Sequence, residues 1–199
     1  MIEEKQLVKA VVMNDTVIIA GLLKGRVNVE LKDEDRRTPL MLAVYRSNTA
    51  AARLLIAAGA NVNAQDKLLN SPFLYAAASG CEEIVRLSMQ HGADYKVLNR
   101  YGGTALIPAC ERGHLAVVAA LLEDKSFPVD HVNNLGWTAL LEAIILGNGG
   151  PQYETVVQML VTAGCDVNIA DKEGVTPLQH AVYRGFREIA WRLMQAGAK

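Results

Sequence analysis

Short apolar runs recur along this 199-residue chain and alternate with polar breaks that contain glycine. Five runs open on a hydroxyl residue, and their spacings are 33, 33, 34 and 38 residues: Thr38, Ser71, Thr104, Thr138 and Thr176. After Thr38, the apolar positions Leu40, Ala43 and Val44 fall on one face of a helix. A second apolar run follows each break. The pattern predicts an all-α fold in which a pair of helices repeats about every 33 residues.

The residues around these runs predict where the helices begin and end. Thr38 suits an N-cap, and Pro39 suits the first helical position, where no N–H is missed. The second helices are expected to end at glycines in the left-handed conformation: Gly59, Gly92, Gly164 and Gly197. A stretch such as 171–174, Asp-Lys-Glu-Gly, predicts a tight turn before the next repeat. Arg36 and Leu69 stand where this turn otherwise has glycine, so two looser turns are expected.

Hydroxyl-Pro-Leu, a glycine, an apolar second helix and Gly-Ala-Asp-Val-Asn together resemble the ankyrin repeat. The match is good from about residue 33 to 199 and weak before it, and it is similar to small stand-alone bacterial proteins of this family. The resemblance implies a solenoid of about six helix-turn-helix repeats with short β-turn or hairpin tips. We expect a single domain with a degenerate N-terminal capping repeat, four inner repeats and a C-terminal capping repeat: 1–32, then 33–65, 66–98, 99–132 and 133–170, then 171–199.

The C-terminal repeat is expected to present a polar end. At one position of the second helix, four apolar residues are followed by an arginine in the last repeat: Leu54, Leu87, Ala120, Met159 and then Arg192. A terminal repeat needs a polar outer face for solubility. The family's histidine in the first helix is replaced here by apolar residues or by Gln179, which leaves the rigidity of the tips open.

Composition and motifs argue against several classes of function. Twenty basic and 21 acidic residues leave a net charge of -1, which does not favour nucleic-acid binding. No apolar run is long enough to span a membrane, and the N-terminus does not resemble a signal peptide. Four scattered histidines and three scattered cysteines predict neither metal site nor disulfide. No phosphate-binding or nucleophile motif is present, so we expect no cofactor and no catalysis.

The cysteines and the glycine-rich stretch 147–153 have modest predicted roles. Cys110 and Cys165 occupy small-residue positions, which indicates packing. Cys81 follows Gly80 in a loop, where an exposed, reactive thiol is the alternative to an inert one. The stretch 147–153 lacks the lysine of a phosphate-binding loop and is interpreted as an enlarged connection between two helices.

The resemblance implies that a partner binds the concave face, which is formed by the tips and the ends of the first helices. The 25 positions assigned to this face hold four of the eight tyrosines and tryptophans and five arginines. These residue types dominate binding energy at protein interfaces. The predicted contact residues are Arg37, Tyr45, Arg46, Arg100, Tyr101, Arg112, Leu135, Trp137, Ile145, Tyr183 and Arg184. The alternative is that these side chains pack on one another across repeats.

We therefore expect a non-catalytic scaffold or adaptor that binds another protein. A chaperone-like or self-associating protein that shields an apolar surface is the second hypothesis. A monomer in the cytoplasm is expected, with export of a processed form as the alternative location. The sequence does not identify the partner, because a fold supplies a surface and not an identity.

Overall fold

The computed structural model describes residues 2–25 and 27–199, and all regular secondary structure in these residues is α-helical. The described chain divides into two compact units, one ending at Arg100 and the other beginning at Tyr101. Unit 1 contains α1 (Ile2–Val12), α2 (Thr16–Leu23), α3 (Pro39–Tyr45), α4 (Thr49–Ala57), α5 (Pro72–Ala78) and α6 (Glu82–Gln90). Unit 2 contains α7 (Leu106–Glu111), α8 (Leu115–Glu123), α9 (Ala139–Ile145), α10 (Pro151–Thr162), α11 (Pro177–Tyr183) and α12 (Arg187–Gln195). The all-α prediction is confirmed, and the single domain with its repeat boundaries stays a prediction.

Each unit is built from three helix pairs in two layers. In unit 1, the first helices α1, α3 and α5 lie side by side, and the second helices α2, α4 and α6 pack beside them. Unit 2 repeats the scheme, with α7, α9 and α11 in one layer and α8, α10 and α12 in the other. Small residues such as Ala43, Ala76 and Ala109 are fully buried between the layers. This close approach of thin repeats explains why so few aromatic side chains are needed in the core.

The predicted helix starts are confirmed in four of the five hydroxyl-led repeats. The side-chain oxygens of Thr38, Ser71, Thr138 and Thr176 each accept a hydrogen bond of 3.2–3.3 Å from the backbone N–H three residues later. Each bond satisfies one of the N–H groups that a helix leaves without an internal acceptor. At the other end, the four predicted glycines have positive φ angles of 82–89°.

The fourth repeat departs from this pattern because of Pro108. Elsewhere the residue four after the hydroxyl residue donates its N–H to the hydroxyl residue's carbonyl at 2.9–3.0 Å. Pro108 occupies that position and has no N–H. α7 therefore begins only at Leu106, and Ala105 flanks it. Thr104 Oγ1 is buried, and within residues 2–25 and 27–199 it has no hydrogen-bond partner.

The tip turns share one geometry, and the expectation of two looser turns is not supported. Arg36 and Leu69 adopt φ angles of 61° and 57°, in the same left-handed region as Gly102, Gly136 and Gly174 (69–88°). A residue with a Cβ atom pays about 1 kcal/mol or more to remain there. The backbone of these two residues is held in the turn mainly by the aspartate three residues earlier, Asp33 or Asp66.

We expect Leu69→Gly to stabilise the protein by about 0.5 kcal/mol, because relief of backbone strain outweighs the added freedom of the unfolded chain. Leu68→Gly is the matched control, since Leu68 is the adjacent, equally exposed leucine without a positive φ. That change should destabilise by a similar amount. Urea denaturation midpoints measure both. Equal effects of the two substitutions would contradict the assignment of strain to Leu69.

The C-terminal repeat is only partly polar on its outer side. Gln179 is exposed, whereas the equivalent residues of the inner repeats are buried: Met41, Leu74, Ile107 and Leu141. Val182, in contrast, is 63% exposed, although its equivalents are at most 5% exposed: Val44, Ala77, Cys110 and Ile144. Arg192 is half-buried and donates to Gln158 of the preceding repeat at 2.7 Å. The polar end was predicted at Arg192, which is half-buried; this side of the last repeat also carries the exposed Gln179 and the exposed, apolar Val182.

Candidate partner-binding surface

The tip of the fifth repeat is organised by the side chain of Asn133. Its Oδ1 atom accepts hydrogen bonds from the backbone N–H groups of Leu135 (2.9 Å) and Trp137 (3.0 Å). The backbone N–H of Asn133 in turn donates to the carbonyl of Trp137 at 3.0 Å. Asp33, Asp66 and Asp171 hold the equivalent tips in the same way. The turn therefore fixes the backbone that carries two of the predicted contact residues.

Four predicted contact residues of unit 2 occupy neighbouring tips and the end of α9. We call Tyr101, Leu135, Trp137 and Ile145 the Trp137 surface. The tips of the fourth and fifth repeats are joined by a hydrogen bond of 2.9 Å from Asn134 N–H to the Tyr101 carbonyl. Tyr101 is 52% exposed and Leu135 48%, whereas Trp137 and Ile145 are half-buried. The surface is thus apolar, partly open to solvent and supported by bonded backbone.

The remaining predicted contact residues of unit 2 differ in their exposure and in their bonds to the rest of the chain. Tyr183 at the end of α11 is 92% exposed. Arg184 is exposed but donates from Nη2 to the Gly147 carbonyl at 2.9 Å, and its guanidinium lies 4.8 Å from the centroid of the Phe186 ring. Arg112 is exposed at the end of α7. Tyr183 is therefore available to a partner, while Arg184 also helps to hold the stretch 147–153.

The contact residues of unit 1 are more involved in packing. The Tyr45 hydroxyl donates to Asp66 Oδ2 at 2.5 Å. The centroids of the Tyr45 and Tyr75 rings are 4.4 Å apart. Burial, and then the hydrogen bond to Asp66, raise the pKa of Tyr45 to about 12. Arg37 forms salt bridges with Asp33 (2.8 Å) and with a second aspartate. Tyr45 thus fits the packing alternative, whereas Arg46 and Arg100 are exposed.

One titratable residue of this region escaped the sequence analysis. Glu142 lies on the buried side of α9 and is only 5% exposed. Its Oε1 atom accepts a hydrogen bond of 2.8 Å from Asn133 Nδ2. Burial, and then the negative charge of Glu111, raise the pKa of Glu142 to about 7, against the opposing effect of Asn133. The signal available in the sequence was a lone acidic residue inside the apolar run 139–146.

The stretch 147–153 forms an enlarged connection and the first turn of a longer helix. α10 begins at Pro151 and has 12 residues, whereas α8 and α12 have nine. Gln152 Nε2 donates to the Gly113 carbonyl at 2.7 Å, and the Tyr153 hydroxyl donates to the Glu111 carbonyl at 2.8 Å. The insertion therefore fastens the fifth repeat to the fourth, directly beside Glu111.

Two of the three cysteines are packing residues. Cys110 is fully buried, and burial raises its pKa. Burial, and then the charge of Asp130, raise the pKa of Cys165 to about 12. Both thiols are therefore protonated at neutral pH, as expected of packing residues. Cys81 is half-buried, with its Sγ atom 3.9 Å from Thr49 Oγ1.

Residues 2–25 and 27–199 contain no cluster of three or more histidine, cysteine, aspartate or glutamate side chains able to hold a metal ion. In the same residues, no helix has the length and apolar character needed to cross a membrane.

Comparison with known proteins identifies the repeat. A profile of ankyrin repeats in three copies matches residues 7–99 and 73–171. The chain belongs to the ankyrin repeat family. Ankyrin repeats generally serve as protein–protein interaction modules, and homologues are typically non-enzymatic scaffolds. The family resemblance drawn from the repeated phrase is therefore confirmed, and membership of this family suggests protein partners.

Similar ankyrin repeat proteins include bacterial ones and a member of the IkappaB protein family. The chain is 39% identical over 172 residues to the ankyrin repeat protein YahD of Escherichia coli (strain K12), covering 86% of each chain. A crystal structure of an ankyrin repeat domain from Acinetobacter baumannii AYE is 52% identical, with a TM-score of 0.95, over 98% of this chain and 100% of that one. The ankyrin repeat domain of Bcl-3, a member of the IkappaB protein family, is 27% identical, with a TM-score of 0.85, over 97% and 86%.

Proposed function

We propose that this ankyrin repeat protein is a non-catalytic scaffold that binds a partner protein through the Trp137 surface. One observation carries the proposal: two aromatic and two aliphatic side chains on neighbouring tips and at the end of α9 stay partly exposed in a chain with few aromatic residues. An apolar patch held open on bonded backbone is typical of a binding site. Aromatic side chains at such a site provide large contact area at a small entropic cost.

The exposed residues around the surface support the proposal. Tyr183, Arg112 and Arg184 belong to the same unit and can extend the contact area as a polar rim. In unit 1, taken by itself, Arg46 and Arg100 are exposed and remain predicted contacts. Arg37 and Tyr45 are weaker candidates, because their polar groups are already bonded within unit 1.

Trp137→Ala should weaken partner binding by about 2 kcal/mol, roughly 30-fold, because a half-buried indole at the centre of an interface is a typical hot spot. The experiment uses immobilised full chain to retain partners from the source cells, followed by affinity measurement with the purified partner. A Tyr101→Ala and Trp137→Ala double variant tests the neighbouring tip in the same way.

Trp191→Ala is the control, because Trp191 is the second tryptophan of the chain, is 52% exposed and lies on α12, outside the Trp137 surface. Circular dichroism confirms that each variant is folded. Equal loss of binding in the Trp137 and Trp191 variants, or none in either, would contradict the proposed surface.

Self-association is the second candidate function, and a separate observation favours it. Val182, Trp191 and Met194 are each more than half exposed on the helices of the last repeat. At the position of Val182, the inner repeats bury their residue. Light scattering across a wide range of protein concentrations tests this candidate. A mass that stays at 21.6 kDa excludes it, and a mass that rises with concentration and returns to 21.6 kDa in Val182→Lys supports it.

A further inference from the structure

The junction between the second and third repeats shows which side chains meet when one repeat packs on the next. Arg53, the fifth residue of α4, donates from its guanidinium to Oε1 of Glu83, the second residue of α6. Val44, the sixth residue of α3, lines the same small cleft as Ile84, the third residue of α6. Each repeat therefore meets the next one through fixed positions of its two helices.

The junction between the fifth and last repeats follows the same scheme. Gln158 of α10 corresponds to Arg53, because each lies six residues before the glycine that follows its helix. Its Oε1 atom accepts a hydrogen bond of 2.7 Å from Nη1 of Arg192, the sixth residue of α12. Arg192 is also paired, at 3.0 Å, with Glu188, the second residue of that helix. The fifth position of one second helix thus faces the second and sixth positions of the next.

The last repeat leaves its own side of this scheme uncovered. Trp191 is the fifth residue of α12, at the position of Arg53 and Gln158, and it is more than half exposed. Val182 is the sixth residue of α11, at the position of Val44, and it is also mostly exposed. Two apolar side chains therefore occupy the positions that meet the following repeat at an inner junction.

The first repeat leaves the opposite side uncovered. Val17, the second residue of α2, is 81% exposed. Ile18, the third residue, is 40% exposed, and the third residues of four other second helices are buried: Ala51, Ile84, Val117 and Ile189. Gly21, the sixth residue, is exposed, and an added Cβ atom there would meet no described atom within 4 Å. The first repeat thus offers apolar side chains beside open space large enough for a bulky ring.

We propose that the last repeat of one copy packs on the first repeat of a second copy in the way that the inner repeats pack on one another. Trp191 then lies against Val17 and Gly21, and an apolar contact replaces the ion pair of the inner junction. Val182 lies against Ile18. Removal of these side chains from water drives the contact, and the indole supplies the largest apolar area. The inference rests on self-association, the second candidate function, and specifies its partner surface.

A symmetric contact between two last repeats explains less. Among the described junctions within a unit, the printed side-chain bonds pair a fifth position with a second or a sixth position, never with another fifth one. A symmetric contact would also leave Val17 and Ile18 in water. A contact between two different faces leaves each pair of copies with one free face of each kind, so association continues beyond two copies or closes into a ring.

The first experiment measures mass by light scattering on the full chain across a wide range of concentrations. The wild type should rise above 21.6 kDa as concentration increases. Val17→Lys and Trp191→Lys should each weaken association by about tenfold or more, because each places an ammonium group in an apolar contact. Leu68→Lys is the matched control, since Leu68 is an exposed leucine at a tip, and it should leave the curve unchanged.

Gly21→Gln gives a second block that keeps the fold. Glutamine favours a helix more than glycine does, so α2 should not be weakened, while its side chain fills the space that the indole needs. We expect a loss of association similar to that in Val17→Lys. Circular dichroism verifies that each variant is folded, and undiminished association of folded Val17→Lys and Gly21→Gln overturns the inference.

Mixing the two lysine variants separates the proposed contact from a symmetric one. Val17→Lys keeps an unaltered last repeat, and Trp191→Lys keeps an unaltered first repeat. The equimolar mixture should therefore associate again and stop at twice 21.6 kDa, since the pair has only altered faces left. A mixture that associates no better than either variant alone overturns the pairing of last with first repeat.

The outcomes distinguish this inference from the functions proposed above. Association that is lost in Trp191→Lys but kept in Val17→Lys supports self-association and overturns the contact with the first repeat. A wild-type mass that stays at 21.6 kDa overturns both. Neither result bears on the Trp137 surface, which is tested by partner binding of Trp137→Ala.

Discussion

Glu142→Gln should stabilise the protein by up to about 3 kcal/mol at pH ~8 and have little effect at pH ~4.5. The folded protein raises the pKa of Glu142 from its ordinary 4.5 to about 7, so the folded state holds this proton more tightly than the unfolded state does. The stabilising effect of the bound proton is complete below the unfolded pKa. It is lost as the pH rises through the folded value, and above about pH 7 the buried carboxylate is a fixed cost.

Urea unfolding at a series of pH values checks this prediction. The difference in free energy of unfolding between the wild type and Glu142→Gln isolates this residue, because all other carboxylates are common to both proteins. It should grow between pH ~4.5 and pH ~7 and then level off. Glu173→Gln serves as the exposed control, with a small difference that does not follow this curve. A difference between wild type and Glu142→Gln that stays constant with pH would contradict the assignment of the raised pKa to Glu142.

The sequence predicted the helices well because their signals are local and repeated. A hydroxyl residue and an apolar stripe recur five times, with a proline after the hydroxyl residue in three of them, so each repeat supports the interpretation of the others. The structure bears out the caps at Thr38 and its counterparts, but not at Thr104. The missing N–H of Pro108 explains that exception, and the proline was visible in the sequence. Its effect became visible only from the backbone hydrogen bond to the carbonyl of the hydroxyl residue, which the other four repeats form at this position.

The candidate site was less predictable because exposure depends on neighbouring repeats. The position of a residue within its repeat correctly predicted that Tyr101, Leu135 and Tyr183 are exposed to solvent. The same rule applied to Tyr45, yet Asp66 and Tyr75 of the next repeat engage its hydroxyl and its ring. Glu142 was missed for the related reason that its burial arises from α7, α10 and the tip together. The side-chain contacts between neighbouring repeats differ from one pair of repeats to the next. The pattern that all repeats share therefore does not predict them.

Gly147→Ala is expected to destabilise the protein by about 3 kcal/mol, although the backbone of Gly147 is not in the left-handed region. The cause is steric, because an added methyl group at Gly147 would have no room. A Cβ atom at Gly147 would lie 2.2 Å from the Ala143 carbonyl oxygen and 2.5 Å from the ring of Tyr153. The carbonyl belongs to α9 and cannot move away. The ring is held by the hydrogen bond from the Tyr153 hydroxyl to the Glu111 carbonyl.

Gly150→Ala is the matched control in the same loop. Its backbone has an ordinary φ of -78°, and an added Cβ atom would meet only the flexible side chain of Asn148 at 3.1 Å. We expect this change to alter the free energy of unfolding by no more than about 0.5 kcal/mol. Denaturant unfolding of both variants gives the comparison, and similar effects would show that the loop tolerates a methyl group at Gly147.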